Sequence, residues 1–463
     1  MTFLTNSLSA RDIATIVHPQ TDLRGHLERG PDMIVRGQGA TIVDEDGKSF
    51  IDGAAGLWCA SLGFASQRLA QVAYDQMERL GYYHLYRHSS NEPSVALAEE
   101  LMRIAPVPMA KVLFQCSGSE ANDAAIKLAW YYQHAVGKPE KVKIIGRKRA
   151  YHGSTAAAIS VSGKPDMHED FALPFSMFKH TEFPHYYTQH LEGESEEDFA
   201  TRMADALDAL IMAEGPDTVA AFFAEPVMGA GGGIIPPATY FEKIQAVLRR
   251  HEVLFVADEV ICGFGRTGNM WGSQTFNLQP DMISCAKALS AAMQPISALL
   301  INDKVFDAML AQSDKLGSFA HGSTYAGHPV AAAVALEVLK IYDEIDVVSL
   351  ARRSGAVLNE RLKALESHSL VGNANGVGLM GGLELVADKE TRAAFDGSLK
   401  VGSRVGDAAR ERGLIARIVG DRVVFSPPRI ISEEEIHQMM DRLTGALDPV
   451  SYTHLTLPTS IQV

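Results

Sequence analysis

The chain has 463 residues, 46% of them hydrophobic and 21% charged, with a formal net charge of −14 at pH 7. That length and apolar content suffice for two domains with cores of their own, and so acidic a balance excludes a sequence-independent grip on nucleic acid, which needs a basic surface. No run reaches the roughly 18 to 20 apolar residues of a membrane-spanning helix, and the start, MTFLTNSLSARDIATIV, lacks a basic stretch leading into an apolar core, so the expectation is a soluble, cytoplasmic enzyme or binding protein.

The first patterned segment is 33–52. Apolar and polar residues alternate there around Asp46-Gly47, a dipeptide suited to a tight turn, which predicts a small antiparallel sheet in a minor domain. From residue 111 onward, short runs rich in β-branched residues alternate with longer helical patterns, as parallel strands linked by crossover helices do. Strands are predicted at 111–116, 142–146, 219–224, 253–258, 281–285 and 296–301, with helices near 120–136, 199–213, 239–251 and 303–311. The fold class is α/β. Beyond about 330, the helix-like AAAVALEVLKIYDEI opens a segment with strands at GVGLMGGLELV and DRVVFSPP, which should pack with the amino-terminal sheet. The expected division is a small domain from 1–60 and 331–448 and a large one from 61–330. The tail 449–463, PVSYTHLTLPTSIQV, breaks from the charged EEEIHQMMDRL before it and resembles translated adapter read-through; a genuine flexible tail is the other reading. Cys59, Cys116, Cys262 and Cys285 are scattered, without CxxC spacing or nearby histidines of zinc type, so neither disulfides nor a metal site are expected.

Four local constellations carry chemistry, in chain order as follows. In QCSGSEAND a strand feeds a Ser-Gly-Ser turn into a helix, so the amides of Gly118 and Ser119 and a seryl hydroxyl can face an anion at the positive end of the helix dipole. The same letters also make a plain helix start capped by Ser117 or Ser119. YHGST sets Tyr151 and His152 after a strand, where an aromatic either stacks on a planar ligand or plugs a loop against the core. In VLFVADEV, Asp258 ends a strand that should be buried, at the edge of the sheet where ligands bind. A carboxylate there needs a cationic partner: a protonated pyridine nitrogen, or Arg266, unless it simply caps a helix. Lys287, in DMISCAKAL, has the confined apolar setting of an imine-forming lysine, although a lysine among alanines also reads as a snorkelling surface residue. HGSTYAGHP adds a second small-residue turn, with hydroxyls at Ser323 and Thr324.

The ordered set GLWC, SGSEAND, YHGST, AEPVMGAGGG, FVADEVICGFGRTG, AKALS and HGSTYAGHP resembles the class III aminotransferases of the fold-type I pyridoxal phosphate enzymes, over roughly residues 15–447. The resemblance implies a large domain with a mainly parallel sheet between helices, a smaller α+β domain built from both termini, and pyridoxal 5'-phosphate as cofactor. It implies Lys287 as the lysine that bonds the cofactor and carries the proton, and Asp258 as partner of the ring nitrogen. Tyr151 and Val260 would face the ring, His152 and Glu225 would line the cofactor, and Gly118, Ser119 and Ser323 would hold phosphate. Thr324 would join them from the second subunit of a homodimer, or of a tetramer built from dimers. The subfamily implied is the amine:pyruvate (omega-) transaminases. Members acting on ornithine or 4-aminobutyrate carry an arginine where this chain has Val424, whereas Arg417 stands where amine:pyruvate enzymes hold a mobile arginine; a solvent-facing loop arginine is the alternative. Trp58, Tyr86 and Leu57 would line the substrate pockets, with a small amine donor and a keto acid such as pyruvate as substrates. One departure stands out: the family places glycine after the lysine, and this chain has Ala288.

Overall fold

The computed structural model describes residues 6–455. Strands β1 (Ile34–Gln38), β2 (Thr41–Asp44) and β3 (Ser49–Asp52) form the antiparallel meander expected of 33–52. Asp44 Oδ1 accepts the amides of Asp46 and Lys48, and Gly47 takes φ +82°, so side chain and backbone together close the β2–β3 turn.

Seven strands build the large sheet: β4 (Lys111–Gln115), β5 (Lys143–Arg147), β6 (Phe178–Thr181), β7 (Val219–Ala224), β8 (Leu254–Asp258), β9 (Met282–Cys285) and β10 (Ser297–Ile301). Their order is β4-β10-β9-β8-β7-β5-β6, and β10 alone of them runs antiparallel to its neighbours. Six of the seven were legible as apolar runs. The seventh, β6, is four residues reading FKHT, too short and too polar to stand out. Helices cover both faces, which is why VAAFFA and LFVAD are buried at every position. Phe222 and Phe255 point into a core with the helices Glu196–Glu214, Tyr240–Arg250 and Pro329–Glu344, while Phe223 and Val256 point the other way, toward the helices Gly118–Ala135 and Asp303–Leu316.

The remaining strands are β11 (Val371–Val377), β12 (Met380–Leu385), β13 (Leu414–Ile415), β14 (Arg417–Val419) and β15 (Arg422–Phe425). Four of the five form a sheet of order β11-β12-β15-β14, and β13 joins the amino-terminal meander by pairing parallel to β3, Leu414 opposite Ile51. The two ends of the chain thus share one sheet. The final helix, Glu433–Leu455, runs past the change of composition at 449, with Val450 packed in the core beside Leu447 and Leu443. Only 456–463 of the excluded tail lie outside the described residues.

Two histidines, His185 buried and His180 partly so, make this fold sensitive to acid. His185 uses Nε2 to accept from Arg422 and bonds Thr188 through Nδ1, and burial, aided by Arg422, lowers its pKa from 6.5 to about 2. His180 bonds the Ser160 carbonyl and lies 5.9 Å from the His168 ring; burial lowers it from 6.5 to about 4. A folded-state pKa below the unfolded value means the unfolded chain takes up the proton first. The stability these residues contribute is therefore whole above pH 6.5 and is lost as pH falls toward about 4, by on the order of 3 kcal/mol for His180. Melting temperatures followed across this window should decline, and less steeply in His180→Gln; a parent and variant with the same slope would contradict the assignment.

Candidate active site

The carboxyl ends of β4, β5, β7, β8 and β9 deliver residues to one pocket, lined by Gly118, Ser119, Asn122, Tyr151, His152, Gly153, Glu225, Asp258, Val260 and Lys287 among others. Eight of the residues singled out in the sequence meet there.

Asp258 lies at its floor, 3% exposed. Its Oδ2 accepts from Asn122 Nδ2 and His152 Nδ1, both at 2.8 Å, and its Oδ1 accepts from the Val260 amide at 3.1 Å. Arg266 is not its partner. That guanidinium donates instead to the carbonyls of Leu379 and Pro427. Asp258 is therefore a buried carboxylate oriented by neighbours and facing the pocket, the setting that calls for a cation from a ligand. Asn122 and His152 each keep a buried polar atom, Oδ1 and Nε2, without a hydrogen-bond partner. The sequence reading passed over Asn122; its place in SGSEAND, five residues from the cap and on the inner side of the helix, was the available signal.

Glu225, 3% exposed, accepts the amides of Tyr151 and Gly229, and burial raises its pKa, with Asp258 adding to the rise. Ser117 is the cap of the helix Gly118–Ala135: its Oγ accepts from the Glu120 amide while Glu120 accepts from Cys116. Gly118 and Ser119 thus stand in the first turn, where amides have no intrahelical acceptor. Ser119 Oγ accepts from the Ser154 amide, and Ser154 Oγ bonds the Tyr151 phenol. A side chain at Gly153, φ +142°, would come within 2.6 Å of Ser119 Oγ, so glycine is what lets the Tyr151 turn lie on the helix start.

Lys287 follows β9 in a short 3-10 turn, with φ +49°. It is no surface lysine: its Nζ lies 5.5 Å from the centre of the Trp58 ring, and burial lowers its pKa while Asp258 works against the shift. Trp58 also has a left-handed backbone, φ +62°. Two non-glycine residues held in this region, side chains converging, mark a place where the surroundings over-determine the backbone. Ala288 has no left-handed φ and its carbonyl accepts from the Tyr342 hydroxyl, so alanine fits where the family has glycine. The left-handed positions of this loop are Lys287, Ala291 and Ala292.

Arg417 opens β14, and its guanidinium carbon lies 6.0 Å from the same Trp58 ring. Among the described residues it has no acidic partner, and its Nε is buried without an acceptor. The register brings a further point: Arg417 pairs directly with Val424 across β14 and β15. The two positions that the resemblance singled out for carboxylate recognition are thus cross-strand neighbours on one face. Leu57, Tyr86 and Thr324 are exposed and do not line this pocket, and Ser323 Oγ is bonded to Gln115.

The pocket suits pyridoxal phosphate: an oriented, buried carboxylate, orphaned polar atoms on Asn122 and His152, a helix start and an amine of lowered pKa. The aminotransferase class-III family description matches residues 28–447. The chain belongs to the class III aminotransferases. It is a pyridoxal-phosphate-dependent enzyme that transfers an amino group to a keto acid. It is 46% identical over 418 residues to gamma-aminobutyrate transaminase 1, mitochondrial, of Oryza sativa subsp. indica, covering 90% of this chain and 81% of that one. It is 46% identical to vanillin aminotransferase of Capsicum frutescens, covering 89% and 90%. The omega transaminase of Pseudomonas jessenii in complex with PMP superposes with a TM-score of 0.95 at 48% identity, covering 97% and 99%. The cytoplasmic expectation is overturned: the related gamma-aminobutyrate transaminases are mitochondrial in rice and chloroplastic in Solanum lycopersicum, which points to an organelle.

Proposed function

We propose that this aminotransferase exchanges amino groups between primary amines, ω-amino acids among them, and pyruvate-like keto acids, with Arg417 and Trp58 deciding which molecules enter. One observation carries the reading: Lys287 Nζ and the Arg417 guanidinium lie on the same indole ring, at 5.5 and 6.0 Å, so a substrate at the lysine has the arginine within reach. When bound, the cofactor supplies an aldehyde that takes up the amino group and a ring that accepts an electron pair from the donor carbon.

The chain's own residues do the rest. Lys287 Nζ, whose charge burial disfavours, takes the proton from the donor carbon and returns it. Asp258, kept in place by His152 and Asn122, would hold a proton on the ring nitrogen of the bound cofactor. Gly118 and Ser119 amides would hold the phosphate and Tyr151 and Val260 would face the ring, while Glu225 fixes the Tyr151 backbone. Arg417 forks onto the keto acid's carboxylate, and Trp58 limits the width of the amine. A W58G form of the Pseudomonas jessenii enzyme is engineered for asymmetric synthesis of enantiopure bulky amines, and a tryptophan at the same number here supports that role.

Arg417→Ala should raise the KM for pyruvate at least about tenfold, since a hydrogen bond to a charged group contributes roughly 1.5–3 kcal/mol. The half-reaction with an amine lacking a carboxylate should be nearly unchanged, and an unaltered KM for pyruvate would rule out the carboxylate role. A panel of aryl amines, alkyl amines and 4-aminobutyrate with pyruvate, scored for alanine formed, ranks the donors.

The exposed Leu57, Tyr86 and Thr324 support a homodimer in which each subunit completes the other's site. We also propose a small domain from both chain ends and a large one between them; the expected boundary at 330 falls inside the helix Pro329–Glu344, whose apolar residues pack in the large core.

A further inference from the structure

We propose that Asp12, His18 and His26 form a binding site for a divalent transition ion, zinc by preference, in the amino-terminal segment. Asp12 lies on the helix Leu8–Thr15, His26 on the helix Leu23–Arg29, and His18 in the connection between them. His18 Nε2 lies 2.9 Å and His26 Nε2 3.2 Å from the same oxygen, Asp12 Oδ1. The three donor atoms all fall within 4.8 Å of one another. Atoms that ligate one ion at 2.0–2.2 Å stand roughly 3–3.5 Å apart in a tetrahedral shell, so the cluster needs little rearrangement.

The donors are sheltered. The Asp12 and His26 side chains are 10% and 9% exposed, while His18, at 30%, forms the open side. The imidazole rings lean together, centroids 4.1 Å apart and planes 34° from parallel, so that both Nε2 edges converge on the carboxylate. Two imidazole nitrogens with one carboxylate oxygen suit a borderline ion such as Zn2+; Ca2+ and Mg2+ prefer an all-oxygen shell. Three protein ligands leave a fourth position for water. The spacing, Asp-x5-His-x7-His, matches no cysteine-based or HExxH signature, and it becomes a cluster only because the segment folds back on itself between the helices. A bound ion would staple the two short helices, neither of which has the length to be stable alone.

The test uses the holoenzyme with pyridoxal phosphate in place, stripped of adventitious metal. Titration with Zn2+ by calorimetry should show one saturable site per chain. His26→Gln and His18→Gln should each weaken it at least roughly tenfold, because altering even a group that only orients a metal ligand costs 10–100-fold. Co2+ serves as the spectroscopic probe, since an N/O site lacks the intense thiolate charge-transfer band that Cys59 or Cys116 would produce. Because His18 is the more exposed ligand, its variant separates loss of metal from loss of fold, checked by circular dichroism. No uptake, equal affinity in the parent and the folded His18→Gln protein, or a thiolate band from bound cobalt would each overturn the site.

Discussion

Lys287→Ala is expected to reduce turnover at least about 10⁴-fold, since it removes the nucleophile and the proton carrier together. Borohydride should fix the cofactor to the parent protein through this lysine and fail to do so in the variant, and a sodium dodecyl sulfate gel of the treated protein reads that directly. The fold should survive. Among the described residues the Lys287 side chain makes no hydrogen bond, and the backbone strain at φ +49° is carried by alanine as by lysine. Undiminished amine–pyruvate exchange in the variant would sink the proposed mechanism, because no other lysine lines the pocket.

Asp258→Asn should lower kcat by about 10²–10³, the effect of losing one preorganised electrostatic partner. The substitution is nearly isosteric, but an amide cannot hold a proton on a ring nitrogen. Its NH2 group, if turned toward Asn122 and His152, would face the Asn122 Nδ2 donor. The lesion should fall on kcat more than on the KM for pyruvate, because Arg417 and not Asp258 is the group proposed to hold the keto acid. Parallel steady-state measurements on Arg417→Ala and Asp258→Asn should therefore give opposite patterns; a large rise in KM with unchanged kcat for Asp258→Asn would refute its assignment to the ring.

Much of this arrangement was legible in the chain because strand and turn chemistry are local. An apolar run ending in an acid, as in VLFVAD, places that acid at a sheet edge whatever surrounds it. The capped turn at Ser117-Gly118-Ser119 likewise follows from side chains within three residues of one another. Other features had no local signal. Nothing in the neighbouring letters marks Trp58 for its φ of +62°, and the choice between Arg266 and a ligand as partner for Asp258 depended on where Arg266 is drawn, 113 and 161 residues away. The strand β6 was missed because FKHT gains its place from β5 alongside and not from its own composition.

The sequence by itself determined the α/β alternation and the family and named the candidate reacting groups, since each rests on residue type and short-range order. Tertiary structure alone decided that Asn122 and His152 aim Asp258, that Arg417 lies opposite Val424 and over Trp58, and that Asp12, His18 and His26 share one oxygen. The reason is physical: covalent neighbours set backbone preferences over a few residues, whereas a hydrogen bond between groups 136 or 106 positions apart exists only once the core has brought their strands and helices together.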